Sequence, residues 1–284
     1  MSDERAAEFR KRTLANWTSD ETVAAWRRWH DKIATQQREV TEALRDAANI
    51  APGQSVLDLA TGSGEPALTF ARVVSPSGRV VGTDVSEGML VVAREFARRE
   101  GIQNIEFAYA DAEQLPFDDG AFDAVTSRMG VMFFIDLERS LNEIHRVLRP
   151  GGRVAFAAWG PMSDTSMFSA CLEPFVRRAS PPDPPPGAPH PQRFAASGTL
   201  STALRKAGFS SVAEETRITA APWFGTPEEQ WQSFCDLASP PYVDDMPEPD
   251  KSEATAEAIE NLRSLYDGTA VQTRAAVVIA SATA

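Results

Sequence analysis

Residues 55–65 read Ser-Val-Leu-Asp-Leu-Ala-Thr-Gly-Ser-Gly-Glu, and they limit the fold more than any other stretch of the chain. A short apolar run carrying an acidic residue, Asp58, leads into a turn with glycines at 62 and 64. An apolar helical pattern begins at once with Pro66, Ala67, Leu68, Phe70 and Ala71. Strand, glycine turn and helix N-terminus in that order form the nucleotide-cradling corner of an open α/β sheet.

The pattern downstream agrees. Strands are expected at 55–59, 79–83, 105–109, 122–127 and 153–159. Helices are expected between them at 65–74, 87–100 and 136–148, with a weakly signalled one near 112–114. Alternation at this pitch implies parallel strands joined by right-handed crossovers. Pro150-Gly151-Gly152 should stop the helix before the fifth strand.

Upstream, Trp17, Trp26, Trp29, Ile33 and Val40 are spaced as one or two amphipathic helices require. Downstream, a helix is expected over 163–179. Residues 180–193 are too rich in proline for a helix or central strand and should form a surface loop. A helix at 198–207, a strand at 211–220, helices at 226–238 and 252–266, and a strand at 275–280 complete the expectation.

Net charge is −12, which argues against nucleic-acid or anionic-membrane surfaces as partners. Cys171 and Cys235 have no metal-type or CxxC companions, so neither a disulfide framework nor a zinc site is expected. The N-terminus is charged without an apolar signal core, and no long apolar run occurs, so a cytoplasmic protein is expected. The oligomeric state is not legible.

Two ligands fit the glycine corner. Gly62-Ser63-Gly64-Glu65-Pro66-Ala67 satisfies the G-x-G-x-x-G/A dinucleotide pattern, and Asp84 follows 20 residues after Gly64. A dinucleotide, however, sets its pyrophosphate beside the helix N-terminus, where Glu65 and Asp58 would repel it. Each such pair costs roughly 4 kcal/mol at about 4 Å and an effective dielectric near 20. S-adenosylmethionine (SAM) has no phosphate and carries an ammonium and a sulfonium, so the same carboxylates attract it.

Val-Leu-Asp-Leu-Ala-Thr-Gly-Ser-Gly, Val-Val-Gly-Thr-Asp-Val-Ser, Ala-Asp-Ala-Glu-Gln-Leu-Pro-Phe and Arg-Val-Leu-Arg-Pro-Gly-Gly follow one another along the chain. In that order they resemble the motifs of class I SAM-dependent methyltransferases, and most closely the ubiquinone and menaquinone biosynthesis group. The resemblance covers residues 54–159. It implies an α/β fold with a Rossmann-like, seven-stranded, mostly parallel sheet, helices on both faces and a helical cap. The last strand would run antiparallel. By the same token 1–50 would be an N-terminal helical cap and 51–160 the SAM-binding core. Residues 161–197 would be a cap insertion with the proline-rich loop, and 198–284 the rest of the core with a helical insertion at 226–267. Where the family commonly has glycine, this chain has Ala60, whose methyl should hold the backbone away from positive φ.

The resemblance also assigns roles. Ala60 and Gly62 would offer backbone to the methionyl part of the cofactor, with Asp58 nearby. Asp84 would take the ribose hydroxyls, Met89 or Val85 would pack on the adenine, and Asp111 with the Ala112 amide would read its edge. Ser127 would border the sulfonium. Methyl transfer depends mostly on proximity and alignment, with a general base for some acceptors. Among the histidines His30 is the leading candidate base, ahead of His190 and His145. Trp29, Arg128, Met132 and Phe133 are candidates for the acceptor pocket. The implied activity is methylation of a small, largely apolar molecule, releasing S-adenosylhomocysteine (SAH), with no metal. A non-catalytic SAM-binding protein and an NAD(P)-dependent oxidoreductase are the alternatives.

Overall fold

The computed structural model describes residues 15–181 and 188–284. Seven strands form one sheet: β1 (Ser55–Leu59), β2 (Arg79–Asp84), β3 (Ile105–Tyr109), β4 (Phe122–Arg128), β5 (Leu148–Trp159), β6 (Ser210–Ala220) and β7 (Arg274–Thr283). Their spatial order is β3-β2-β1-β4-β5-β7-β6. The first five pair in parallel, and β7 runs antiparallel between β5 and β6. The chain reverses its direction of winding at β1 and β4. The carboxyl ends of those two strands therefore border the crevice in which open α/β sheets bind ligands.

Both faces of the sheet are covered, which is why β1 and β2 are buried almost throughout. On one face α2 (Arg38–Ala48) and α3 (Ala67–Val74) bring Val40, Leu44, Phe70 and Val74 against Val56, Val80 and Val277. On the other, α5 (Leu137–Val147) and α7 (Thr199–Lys206) bring Leu141, Ile144, Leu200 and Leu204 against Leu57, Val125 and Phe156. Each such side chain contributes about 1.5–3 kcal/mol by leaving water. The helix α4 (Glu87–Arg99) covers the β2–β3 end through Val92 and Phe96.

A further cluster lies beside the end of β5. There α1 (Asp20–Gln36) packs with α6 (Ser166–Ala179), α8 (Pro227–Ala238), the short α9 (Pro241–Asp244) and α10 (Asp250–Ser264). Trp29, Phe168, Phe175, Trp223, Phe234 and Leu262 form its apolar centre. Trp159, at the end of β5, meets Phe168 edge-on at 5.0 Å and joins this cluster to the sheet.

Three expectations need correction. Residues 112–114 are not helical: the Asp111 carboxylate accepts the Glu113 N–H at 3.0 Å, closing a local turn before Pro116. The fifth strand starts at Leu148 rather than 153, because Leu148 already pairs with Phe122 ahead of the glycines. The helix expected from 163 starts at Ser166, after a single 3-10 turn at Met162–Asp164. Of the proline-rich loop, residues 182–187 lie outside the described residues, as do 1–14 of the expected N-terminal cap. The remainder of the loop carries no helix or strand.

Candidate cofactor and acceptor site

The strand order sets the polar side chains of the crevice in a row. Asp84 ends β2, Asp58 lies in β1, and Ser127 lies near the end of β4. Asp111 and Ala112 follow β3, next in line. The fold brings Asp58, Ala60, Gly62, Asp84, Val85, Asp111, Ala112 and Ser127 to one edge of the sheet.

Asp84 organises the glycine turn. One carboxylate oxygen accepts the Gly62 N–H and the other the Ser86 N–H, each at 2.9 Å. Ser86 in turn caps α4 by accepting the Met89 N–H at 3.4 Å. Burial pushes its pKa up, opposed by the backbone N–H groups of Gly62, Ser86 and Val85. A carboxylate accepts about four hydrogen bonds, so Asp84 keeps acceptor capacity beyond these donors. Met89 is buried and Val85 half-buried.

Asp58 is fully buried. Its Oδ1 accepts from Thr126 Oγ1 at 2.8 Å, while no group of the described residues bonds its Oδ2. Desolvation raises its pKa to about 7, against the Thr126 and Thr61 hydroxyls and the Arg128 charge. The Ser127 hydroxyl is likewise buried without a partner among the described residues, and the Thr61 hydroxyl lies beside Asp58. Orphaned buried polar atoms are rare in folded proteins, and two at one strand edge call for a ligand that brings donors.

The backbone between these groups is strained. Ala60 has φ +52°, contrary to the expectation that its methyl would keep φ negative. Met129, one residue past β4, also lies at positive φ (+59°). Gly130 follows it, and a Cβ there would stand 2.5 Å from the Ala60 methyl and 2.6 Å from Ser127 Oγ. The turns after β1 and β4 approach too closely to admit a side chain, and Ala60 takes the left-handed conformation that lets them do so.

Four candidates for catalysis or acceptor binding have other duties. His30 is 3% exposed, with Nδ1 2.9 Å from Ser63 Oγ and its ring stacked 3.6 Å from that of Phe96. Burial lowers its pKa to about 4. Held against the glycine turn by Ser63 and against α4 by Phe96, it is committed to packing these elements, which favours a positioning role over the expected general base. Trp29 donates its indole N–H to Asp236 at 2.8 Å and packs on Trp223, so it fastens α1 to α8. Arg128 donates to Thr41 Oγ1 at 2.7 Å and to the Glu65 carbonyl at 3.0 Å, tying α2 to the glycine turn rather than awaiting an acidic acceptor. Met132 is a core side chain of the α5 face. Phe133 alone of the set is half-buried at the crevice, edge-on to Trp17 at 5.4 Å. His145 packs edge-on against Phe209.

His30, Asp31 and Glu100 bring ligand-type atoms within 4.8 Å of one another. Arg99 already holds both Asp31 and Glu100, and Arg72 pairs with Glu100, so the grouping is a salt-bridge network. Sequence reasoning missed Thr61 and Thr126, the hydroxyls around Asp58. Thr126 was in reach, because parallel register sets it opposite Asp58.

Fold and site together define a class: a doubly wound α/β protein with the 3-2-1-4-5-7-6 sheet and an acidic glycine corner. The model of the ubiE/COQ5 methyltransferase family matches residues 27–170, half of the chain, and this protein belongs to that family. The ubiquinone/menaquinone biosynthesis C-methyltransferases UbiE of Enterobacter sp. (strain 638) and Escherichia coli (strain K12 / DH10B) are each 43% identical over 110 residues. That stretch is 38% of this chain and 44% of theirs, so the likeness spans less than half the length of these relatives. Among solved structures, YcgJ from Bacillus subtilis has a similar fold (TM-score 0.56, 19% identity, 87% of this chain and 98% of that one). So has phosphoethanolamine N-methyltransferase 2 from Haemonchus contortus (TM-score 0.56, 18% identity, 95% of this chain and 59% of that one).

Proposed function

We propose that this protein transfers a methyl group from SAM to a small, largely apolar acceptor. The observation that carries the reading is the buried Asp58 carboxylate, whose Oδ2 has no partner among the described residues, with the unpartnered Ser127 hydroxyl beside it on β4. An ammonium is the ligand group that satisfies them, whereas a phosphate would leave Asp58 uncompensated and add repulsion. SAM, when bound, supplies an electrophilic methyl on its sulfonium and leaves as SAH.

The residues divide the remaining work. Asp58, with the backbone of Ala60 and Gly62, would hold the methionyl end. Asp84 would use its second lone pairs for the ribose hydroxyls while keeping the Gly62 and Ser86 amides in place. Met89 and Val85 would border the adenine, Asp111 and the Ala112 amide would meet its edge, and Ser127 would lie beside the sulfonium. Phe133, with Trp17 against it, would wall the acceptor and exclude water. The helical cluster of α1, α6, α8 and α10 would serve as the cap. A small-molecule rather than nucleic-acid acceptor and a cytoplasmic setting belong to the same proposal, the former supported by the net charge of −12.

Calorimetric titration with SAM, SAH, NAD⁺ and NADP⁺ in parallel tests the reading. Micromolar binding of the first two alone is expected. A nicotinamide nucleotide binding in their place would overturn it. With His30 committed to Ser63 and Phe96, the alternative is a SAM-binding protein of this fold without methyl transfer. It predicts tight SAM binding and no SAH release with any phenolic or quinol acceptor.

A further inference from the structure

Among the described residues Arg193 is a cation without a counterion, in a chain with 40 acidic and 28 basic residues. It is half-buried, and no carboxylate of the described residues forms an ion pair with it. Leaving a guanidinium partly desolvated and unpaired is costly unless something else neutralises it. Burial accordingly lowers its pKa. One arm of the fork donates to the Phe134 carbonyl, and the guanidinium carbon stands 5.4 Å from the Phe194 ring centroid. Phe134 directly follows the 3-10 turn Val131–Phe133, and Phe194 is buried in the same cluster as Phe134 and Met132. These contacts hold the guanidinium against the backbone that follows Phe133, on the segment that leaves β4. Its other N–H donors have no partner among the described residues.

The same turn offers two more donors. His190 Nδ1 accepts the Gln192 N–H at 3.2 Å, which leaves the proton of the neutral ring on Nε2. The Gln192 side-chain nitrogen is buried with no partner among the described residues. Guanidinium, imidazole N–H and amide N–H thus belong to four consecutive residues, and no carboxylate of the described residues is hydrogen-bonded to any of them. Charge-assisted donors of this kind recognise a carboxylate or a phosphate.

We propose that the turn 190–193 binds an anionic group on the methyl acceptor, with Arg193 as the residue that selects it. The acceptor is then an acidic aromatic or similarly apolar molecule, its ring against Phe133 and Trp17 and its carboxylate or phosphate on Arg193. This rests on the methyltransferase reading and narrows its substrate class. The turn is separate from the glycine corner, so Arg193 contributes to acceptor choice and not to cofactor affinity.

The test uses the full chain loaded with SAH and three probes: 4-hydroxybenzoate, phenyl phosphate and neutral methyl 4-hydroxybenzoate. Calorimetry should show one acidic probe binding about tenfold or more tighter than the ester, as for a hydrogen-bonded charge pair. Whichever acid wins distinguishes carboxylate from phosphate. Arg193→Gln should reduce the preference to about threefold or less, and Arg193→Lys should keep part of it. SAH affinity should stay within about twofold in both variants, which also shows that they fold. Equal binding of ester and acids, no binding of either acid, or a preference that survives Arg193→Gln would overturn the assignment. Failure of the wild-type protein to bind SAH would sink the methyltransferase reading and this proposal with it.

Discussion

Asp58 and Ala60 lie two residues apart, and each is held in a state that an isolated peptide would avoid. Asp58 is buried with half its carboxylate unpaired, and its pKa rises from 3.8 to about 7. A carboxyl with a higher pKa in the folded state binds its proton more tightly there. It therefore favours folding at low pH and penalises it as pH climbs from about 4 to 7. The difference in unfolding free energy between wild type and Asp58→Asn should grow across that window to a few kcal/mol, with Asn the more stable in the absence of ligand. Urea titrations at pH 4.5 and 8 would read it, and equal differences at the two values would count against the assignment. An ammonium beside Asp58 reverses the shift. SAH binding near pH 6.5 should release a proton, detectable as a dependence of the binding heat on buffer ionisation enthalpy, and should release none by pH 8.5. Ala60 makes a second prediction. A left-handed non-glycine residue costs about 1–2 kcal/mol, partly offset by the greater freedom of an unfolded glycine. Ala60→Gly should stabilise the protein by about 0.5–1 kcal/mol, read as a higher urea midpoint with an unchanged slope. The sequence shows an alanine in a tight turn. It does not show that Gly130, about 70 residues on, stands too close to that turn to carry a Cβ.

At the scale of elements, α1 is a clasp on the glycine turn. His30 reaches Ser63 from one face of the helix, while Asp31 pairs with Arg99 on α4 and Trp29 reaches Asp236 on α8. His30→Ala removes the Phe96 stacking and the Ser63 contact together. It should cost about 2–4 kcal/mol of stability, as large-to-small changes at buried sites do. It should also weaken SAH. A double-mutant cycle with Ser63→Ala separates the two effects: strong non-additivity in SAH affinity shows action through the turn, while additive losses show general loosening. The positions of these elements were largely legible. Periodicity and glycine punctuation place β1 and β3 to the residue, and the other strands to within one residue at the ends that matter for the crevice. The expected Pro150-Gly151-Gly152 stop lies instead inside β5, the helix having ended at Val147. The duties of Trp29, His30 and Arg128 were not. Each is set by a partner between 33 and 207 residues away, and no local pattern encodes a partner at that distance.

For the whole molecule the defining choice is the position of β7. It pairs with β5 from Arg153 to Trp159 and with β6 from Ser210 to Ala220, and its side chains are buried on both faces. A chain shortened to residue 273 should lose cooperative unfolding and become insoluble, because two strand edges and their apolar faces are uncovered at once. Circular dichroism and sedimentation of the truncated chain would decide it. A soluble, cooperatively folded product would mean that the β1–β5 half stands alone.

That placement also dictates an order of events on the ribosome. β6 is synthesised before β7 yet pairs only with it, so it must wait beside the half-built sheet with neither edge bonded. The parallel half and its crevice have all their strands by residue 159, more than a hundred residues before β7 is made. The newborn protein thus passes through a stage in which the glycine corner is complete while the open edge of β5 invites wrong partners. A ligand that settles early in the crevice, or a chaperone that shields β5, would act on yield at that stage and not on the stability of the finished fold.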